Sequence, residues 1–397
     1  KEDARLALEG LPWEYGDAAE MQRLSAKYAG ADQGKVTRVF GANFIGRMSG
    51  KVVEAFVAKA DLLAASPAYS DQSGVDWKTA AASAAKVLNH IGGVDGMDPT
   101  GWTWYCNVDD IEKLSPTESP AEILWRGERA KSLSLEEDNF PPTLYGNGRI
   151  NPTQNLVDAF PMLNGYPVSH LSGEYDENLP YANRDPRLEA YILYNGCKAG
   201  NTNKEIFTAA DGTTNDALNK VVGRSTRTGY YLRKLLRQDI SLDPNAKADQ
   251  YHYTPRIRYT EIFLAYAEAA NQAYGPQDKG GNGYSAYDVV KKLRHRAGIG
   301  RDNGDAYLES IKNDQAKMAE LIRNERRIEL CFEGFRFWDL RRWKSNLTET
   351  AKGMNISGTR YTPMEVDKRS FSEYMYYGPI PYSEVLKYDE LKQNQGW

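Results

Sequence analysis

The sequence feature that most constrains the fold is a charged helix near the C-terminus. Residues 323–343 read RNERRIELCFEGFRFWDLRRW, and they extend a helix that should begin near Gln315. One face of this helix is apolar, formed by Met318, Leu321, Ile322, Ile328 and Phe332. Glu325 falls in the middle of that face, so its carboxylate should be buried. Because an unpaired buried charge is strongly unfavourable, the fold must bring a cation to it.

No residue three or four positions from Glu325 can neutralise it. A tertiary arginine is therefore needed, and the nearest candidates after the turn at Gly334 are Arg336, Arg341 and Arg342. Glu329 differs, because Arg326 lies three residues before it, and Asp339 is expected to join the same network. We favour structural ion pairing over catalysis for Glu325, since its surroundings are helical and rich in arginine. The aromatic residues around this turn are expected to pack in the core: Phe335, Phe337, Trp338 and Trp343.

A helical hairpin occurs twice along the chain. In the first copy, residues 49–66 and 76–90 predict two helices, the second capped by Asp76. The first of these helices should bury one face, formed by Val53, Phe56, Val57, Ala60, Leu63 and Ala64. In the second copy, helices are predicted over 258–274 and 284–297, with Gly298 ending the latter.

The two copies align at one constant spacing. The matched pairs are Glu54 with Glu261, Phe56 with Phe263, Ala58 with Ala265, Ala60 with Ala267, and Trp77 with Tyr284. Small residues at fixed positions allow two helices to approach closely, as in tetratricopeptide-type repeats. A chance match of two amphipathic helices is the alternative.

Between the copies, residues 93–254 are rich in Gly, Pro, Asn and aromatics, and the segments 101–108, 122–128 and 189–195 could be short strands.

Composition narrows the possible partners. The 397 residues carry 50 Lys plus Arg against 54 Asp plus Glu, and this acidic balance offers no general attraction for nucleic acid. The widely spaced cysteines, Cys106, Cys197 and Cys331, indicate neither a disulfide framework nor a metal cluster. No long apolar run or basic leader occurs, so we expect any export signal or lipid anchor to lie outside this sequence.

The C-terminal residues also carry a family resemblance. The pattern ER-x-x-EL-x-FEG-x-R-x-x-DL-x-RW runs from Glu325 to Trp343 and resembles the hallmark of the SusD/RagB family. The final segment, PIPYSEVLKYDELKQNQGW, is similar to the family's closing signature. Further matches are RIRYTEIFLAYAEA, RHRAGI, FPMLNGYPVS, DPRLEAYI and TGYYLRKLL, in the expected order between residues 47 and 397. The resemblance assigns structural roles to Glu325, Arg326, Glu329, Glu333, Gly334, Arg336, Asp339, Arg342 and Trp343.

The resemblance implies a mainly α-helical, tetratricopeptide-like scaffold whose loop-rich, partly β excursion forms the ligand face. It implies one domain over 1–397, without a counterpart of the family's lipidated cysteine and first helical hairpin. Its parts would be the hairpins 47–92 and 255–300, the excursion 93–254, the hallmark helix and turn 315–345, and the closing signature 379–397. It further implies a lipid-anchored protein of the outer-membrane surface that captures glycan for a SusC-like TonB-dependent transporter.

Glycan binding requires aromatic platforms flanked by groups that donate and accept hydrogen bonds. The segment 101–105, GWTWY, would place Trp102 and Trp104 on one face if extended. The candidate ligand residues are Trp102, Trp104, Tyr105, Asn107, Tyr175, Tyr181 and Tyr284. The same tryptophans could instead roof the helices, and Tyr284 could instead pack between the helices of its hairpin.

No catalytic or cofactor signature is present in the sequence. The four histidines form no HExxH motif, and no GxSxG elbow or phosphate-binding glycine loop occurs. We therefore expect no enzyme activity, no cofactor and no metal site. Two alternatives remain open: a peptide receptor on the same scaffold, resembling RagB, and an α-helical glycoside hydrolase, which would need two facing carboxylates.

Overall fold

The protein is described by a computed structural model over residues 1–28 and 32–397, and it is mostly helical, as the sequence predicts. The α-helices are α1 (Glu2–Gly10), α2 (Ala18–Lys27), α3 (Gln33–Phe40), α4 (Gly50–Ala65), α5 (Ser70–Ser73), α6 (Trp77–Asn89), α7 (Val108–Ile111), α8 (Ser134–Asn139), α9 (Gln154–Val157), α10 (Pro186–Tyr191), α11 (Tyr259–Tyr274), α12 (Ala286–Ala297), α13 (Ala306–Ile311), α14 (Gln315–Glu329), α15 (Phe335–Arg342) and α16 (Tyr382–Val385).

The strands form four antiparallel pairs within the described residues. They are β1 (Ile123–Ser132) with β6 (Gln250–Arg258), β2 (Ile192–Leu193) with β5 (Tyr231–Leu232), β3 (Lys198–Ala199) with β4 (Lys204–Glu205), and β7 (Ala351–Ser357) with β8 (Arg360–Asp367). The β1–β6 ribbon is the longest of these pairs. Three register shifts interrupt its ladder, and such irregularities twist a ribbon and redirect its side chains.

The predicted helical hairpins are confirmed as α4–α6 and α11–α12. The Asp76 carboxylate accepts the Thr79 backbone N–H at 2.8 Å and so caps α6. Ser285 and Asp288 form a capping box at the start of α12, and Gly298 ends that helix at φ 100°, a left-handed conformation that favours glycine. Helices α4, α6 and α11 share one apolar core that is rich in alanine.

The buried face predicted for α4 is wrong in part. Val53 is buried as expected, but Phe56 and Leu63 are each 43% exposed. The interior positions are instead Val52, Ala55, Ala58, Leu62 and Ala65. Small side chains let α4 approach α6 and α11 closely, so the bulky Phe56 turns outward and contacts the edge of Trp125.

The excursion between the hairpins folds mainly as turns and short elements. The strand predicted over 122–128 is confirmed within β1, and the one over 189–195 contains only the two residues of β2. Residues 101–106 form consecutive turns, so the expectation of an extended segment there is wrong. The Asp98 carboxylate accepts the Thr100 N–H at 2.9 Å and Thr103 N–H bonds back to Thr100, which starts this series of turns.

The charged helix α14 packs where the excursion meets the second hairpin. Glu325 is completely buried, as its position in the apolar stripe predicts. Its two carboxylate oxygens accept hydrogen bonds from Arg187 of α10 and Arg294 of α12, both at 2.8 Å. The partners predicted for Glu325, namely Arg336, Arg341 and Arg342, are wrong, because the fold supplies arginines that are distant in sequence.

Glu329 and Glu333 continue this buried network. Glu329 pairs with Arg187 at 3.0 Å and Arg296 at 3.2 Å, rather than with Arg326. Burial alone would raise the pKa of Glu329, but the positive charges around it lower that pKa to about 2. Glu333 joins Lys234 and Arg258, and Arg258 also pairs with Glu122 at 2.7 Å. One charged cluster therefore connects the excursion, the β1–β6 ribbon and both α12 and α14.

Asp339 belongs to a second cluster rather than to the network of Glu325. Its carboxylate accepts hydrogen bonds from Arg326 and Arg342, each at 2.8 Å. Arg342 also forms a two-pronged pair with Glu268 of α11, at 2.6 and 2.7 Å, and the Trp343 indole N–H donates to the same carboxylate. This cluster fixes α15 against the second helical hairpin.

Candidate ligand-binding site

A cleft of about 610 Å³ opens beside the β1–β6 ribbon. This volume lies in the range of small-molecule sites. The ribbon lines this cleft together with the turn after α14 and residues from the segments 104–105 and 134–138. The aromatic side chains that line it are Trp104, Tyr105, Tyr253 and Phe335. Polar and charged residues in the lining include Glu128, Asp138, His252 and Arg256.

The aromatic wall of this cleft is held by the packed interior. Trp104 is only 4% exposed and contacts Tyr105 edge to face, with ring centroids 5.7 Å apart. The Tyr105 hydroxyl donates a hydrogen bond to the Ala190 carbonyl at 3.1 Å, and burial raises the pKa of this phenol. The Trp104 indole N–H has no hydrogen-bond partner among the described residues. These rings form a fixed surface rather than side chains that swing outward.

The polar rim of the cleft offers both hydrogen-bond donors and acceptors. The His252 ring lies 3.0 Å from the buried Glu136 carboxylate, which orients it. The Arg256 guanidinium stacks over Trp125 at 4.6 Å and, within the described chain, has no carboxylate at ion-pair distance. Glu128 is exposed and supplies an acceptor on β1. Such a mixture suits a ligand rich in hydroxyl groups, since each hydroxyl donates and accepts.

The predicted ligand residues near 102–107 do not form an open platform. Trp104 and Tyr105 line the cleft from the interior, whereas Trp102 is half-buried and its carbonyl accepts the Tyr191 hydroxyl at 2.9 Å. Asn107 is half-buried and its side chain donates to Asp110. The turns at 101–106 separate Trp102 from Trp104. A direct ligand contact for these residues stays a prediction.

Tyr175 and Tyr181 lie in a separate tyrosine cluster. Tyr181 stacks on Tyr194 at 4.2 Å, and its hydroxyl bonds to that of Tyr230 at 3.2 Å. Tyr361 of β8 contacts the edge of Tyr181. Burial raises the pKa of Tyr194 to about 12 and also raises the pKa values of Tyr175 and Tyr181. Neither Tyr194 nor Tyr361 was predicted as part of this cluster: Tyr194 lies just after β2, and Tyr361 lies in β8, far along the chain.

Tyr284 packs inside its hairpin. It is 7% exposed, its ring lies 4.7 Å from that of Tyr266, and its carbonyl accepts the Tyr266 hydroxyl. Packing between the helices of the hairpin is the alternative to ligand binding that the sequence analysis gives for Tyr284. One edge of Tyr284 reaches a shallow depression beside Gly93 and Lys279.

The structure exposes two aromatic side chains that the sequence places in the core. Trp338 is 60% exposed and Phe337 is 53% exposed, which corrects the expectation for both. Trp343 is buried as expected. Asp339 and Arg342 form the inner face of α15, so helical geometry turns Phe337 and Trp338 outward. The charged residues of α15 predict this surface better than its aromatic residues do, because burial of Asp339 and Arg342 exposes Phe337 and Trp338.

The described residues contain no group of three or more His, Cys, Asp or Glu side chains arranged to hold a metal ion. Among those residues, no helix is both long enough and apolar enough to span a membrane.

The family assignment follows from comparison with known proteins. The profile of the SusD family matches residues 125–397, which is more than half of the chain and includes the β1–β6 ribbon, α14 and α15. The chain belongs to the SusD family. The profile begins within the β1 strand, so the SusD family match covers most of the cleft wall and, apart from Glu122, both buried charge clusters.

Two curated relatives of this SusD family chain come from Formosa agariphila. SusD-like protein P2 is 32% identical over 152 residues, and SusD-like protein P38 is 33% identical over 85 residues. The matches cover 38% and 21% of this chain, and they span only 26% and 16% of the length of those relatives.

Solved structures support the fold over a greater length. A SusD-like protein from Bacteroides fragilis is 25% identical, with a TM-score of 0.69 over 100% of this chain and 70% of its own. A SusD-like carbohydrate binding protein from the same species is 22% identical, with a TM-score of 0.64 over 93% of this chain and 68% of its own. At this level of identity, the second likeness bears on the fold alone.

Proposed function

We propose that this SusD family chain captures oligo- or polysaccharide at the cell surface and delivers it to a SusC-like TonB-dependent transporter. The observation that carries the proposal is the cleft, because it joins an aromatic wall to a rim of donors and acceptors. A fold relative described as carbohydrate binding adds support. In this proposal a lipid anchor holds the protein at the outer membrane.

Capture would combine ring stacking with several hydrogen bonds. A sugar entering the cleft can place a C–H face against Phe335, which is half-buried, while its hydroxyls reach Glu128, His252 and Arg256. These contacts replace hydrogen bonds that the sugar makes with water, so the net gain for each is small. We expect dissociation constants of roughly 10⁻⁶ to 10⁻³ M, which permit release to a transporter.

The two carboxylates deep in the cleft are both held in ion pairs, although burial raises the pKa of one of them, Glu261. Glu333 pairs with Lys234 and Arg258, and Glu261 pairs with Lys59 at 2.8 Å. The Arg258 and Lys234 charges lower the pKa of Glu333 even though burial opposes them, so this group is poorly suited to donate a proton. A glycoside hydrolase would need one carboxylic acid to protonate the leaving oxygen.

Affinity electrophoresis through gels that contain plant, host or microbial polysaccharides tests the proposal. We expect at least one polysaccharide to retard the protein, and Arg256→Ala and Glu128→Gln to reduce that retardation. Arg227→Ala, at an exposed arginine outside the cleft, is the matched control. Retardation by none of the polysaccharides, together with binding of short peptides, would favour the peptide receptor. Release of reducing ends would establish an enzyme.

A further inference from the structure

Three arginines without acidic partners gather beside the C-terminal end of α14. Arg327 lies in the last turn of α14, Arg336 in the first turn of α15, and Arg369 just beyond β8. Their side chains donate no hydrogen bond to any described residue and have no carboxylate within 4.0 Å in that part of the chain. Arg327 and Arg336 are half-buried, and Arg369 is exposed.

Contacts between α14, α9 and β7 bring these arginines together. Asn324, one turn before Arg327, donates a hydrogen bond to the Ala159 carbonyl at 2.8 Å, just after α9. Asn155 of α9 donates to the Glu349 carboxylate at 3.0 Å. Two residues later, β7 begins and pairs with the end of β8, which leads directly to Arg369. Arg327 and Arg369 therefore share one corner of the molecule, and the short turn after α14 returns Arg336 to it.

The positive charges of this corner are not balanced. Burial lowers the pKa of Arg336 to about 10, and the neighbouring charges of Arg327 and Arg369 act in the same direction. Burial likewise lowers the pKa of Arg327. Glu349 acts in the opposite direction on both arginines, Asp158 on Arg327 and Asp339 on Arg336. Asp339 is paired with Arg326 and Arg342, and within the described residues neither Glu349 nor Asp158 lies within 4.0 Å of a guanidinium of this corner.

The nearby arginines of the hallmark turn behave differently. Arg326, the sequence neighbour of Arg327, pairs with Asp339, and Arg342 pairs with both Asp339 and Glu268. A half-buried guanidinium without an anion is an unfavourable arrangement unless something else supplies the negative charge. Arginine presents a planar fork of donors that fits carboxylate and sulfate oxygens, and several such forks hold one anionic group more firmly.

We propose that Arg327, Arg336 and Arg369 bind an oxyanion carried by the captured saccharide, either a uronate carboxylate or a sulfate ester. This inference rests on the proposed function and adds the class of glycan: acidic rather than neutral. The tyrosine cluster supports a saccharide as the carrier, because Tyr175 lies near the same corner. Arg184 lies 5.6 Å from the centre of the Tyr175 ring and donates to the Val157 and Phe160 carbonyls. The Ala159 carbonyl between them accepts from Asn324, one turn before Arg327. Aromatic rings that can stack on a sugar and guanidinium groups that can bind an anion then lie on one surface.

The test compares acidic with neutral polysaccharides on the whole chain. Gels containing polygalacturonate, dextran sulfate or neutral dextran are run with the wild type, Arg327→Gln, Arg336→Gln and the double variant. Arg227→Gln is the matched control. We expect an acidic polysaccharide to retard the wild type and the double variant to bind it about tenfold more weakly, which corresponds to about 1.4 kcal/mol. Retardation by polygalacturonate or by dextran sulfate alone identifies the anion as carboxylate or sulfate.

Thermal unfolding of each variant shows whether it is folded. Because neither arginine has a partner to lose, we expect both single variants to melt near the wild-type temperature. If the folded double variant is retarded as strongly as the wild type, the oxyanion site is wrong. If neutral dextran alone retards the wild type, the oxyanion site is also wrong, but the proposed capture of glycan still holds. A third outcome is that no polysaccharide binds, but millimolar sodium sulfate at fixed ionic strength raises the melting temperature of the wild type and not of the variants. In that case the saccharide assignment and the proposed function both fail.

Discussion

At the scale of single residues, the molecule is organised by buried carboxylates that share arginines. Glu325 contacts Arg187 and Arg294, which are separated from it by long stretches of chain. Its burial follows from the helical pattern of α14, whereas its partners do not, because helical spacing relates only residues of the same helix. The sequence therefore predicts that a cation is needed, but the arginines it favours, those after Gly334, are not the ones that supply it.

Replacing Glu325 by Gln should destabilise the fold strongly. The substitution leaves two buried guanidiniums facing a neutral side chain, and breaking a buried pair in this way typically lowers the free energy of unfolding by about 3–5 kcal/mol. Urea denaturation provides the measurement. Glu320→Gln on the exposed side of the same helix is the control and should change stability by less than about 0.5 kcal/mol. A loss below about 1 kcal/mol for Glu325→Gln would contradict the structural role of the network.

The exposed and buried tryptophans of the hallmark turn should respond in opposite ways. Trp343 is buried and donates to Glu268, so Trp343→Ala should lower the free energy of unfolding by about 3–5 kcal/mol. Trp338→Ala removes a largely exposed ring and should stay within about 0.5 kcal/mol of the wild type. The same denaturation measurement compares the two variants directly. Equal losses would show that Trp338 is packed after all.

Acid should weaken the fold through Glu329. The pKa of this group is about 2 in the folded protein, below its ordinary value near 4.5, so the unfolded chain binds the extra proton first. The stability it contributes is complete above about pH 4.5 and is lost progressively as the pH falls towards 2. We expect the melting temperature to fall across that interval, and to fall less steeply in a folded Glu329→Gln variant. Parallel curves for the two proteins would refute this assignment.

At the scale of secondary structure elements, helix ends are predicted well and helix faces less well. The Asp76 cap and the stop at Gly298 are predicted from neighbouring residues, and both are present, whereas the capping box at Ser285 was not predicted. The orientation of α4 depends on how closely α6 and α11 approach it. That distance cannot be predicted from the sequence of α4 alone. The expected strand at 101–108 failed for a similar reason, since the Asp98 turn prevailed over the β propensity of its tryptophans.

The cap at Asp76 offers a test at this scale. Asp76→Ala leaves the Thr79 N–H at the start of α6 without its partner, and we expect a loss of about 1 kcal/mol in the free energy of unfolding. Asp71→Ala in the short helix α5 is a suitable control, because its carboxylate makes no hydrogen bond or ion pair to the residues that the structure describes. A loss of equal size in both variants would argue against a specific capping role.

At the scale of the whole molecule, two charge clusters join the SusD family scaffold to a ribbon that carries a cleft. The scaffold and the burial of Glu325 were accessible from the sequence, whereas the cleft was not, because it lies between segments that are far apart along the chain. Trp102 and Trp104 are expected to form an open platform, whereas Trp104 lines the interior wall of that cleft together with Tyr105, and Trp102 does not line it. Aromatic residues are easily found in a sequence, but their exposure is decided by tertiary packing.

Saccharide binding in the cleft without cleavage is the central part of the proposed function. Isothermal titration of the wild type with an oligosaccharide from a retained polysaccharide measures this directly, with the Arg256→Ala and Arg227→Ala variants titrated in parallel. We predict saturable binding that weakens in Arg256→Ala, persists in Arg227→Ala and leaves the oligosaccharide intact. Equal affinity in all three proteins, or recovery of shortened oligosaccharide from the cell, would contradict the account.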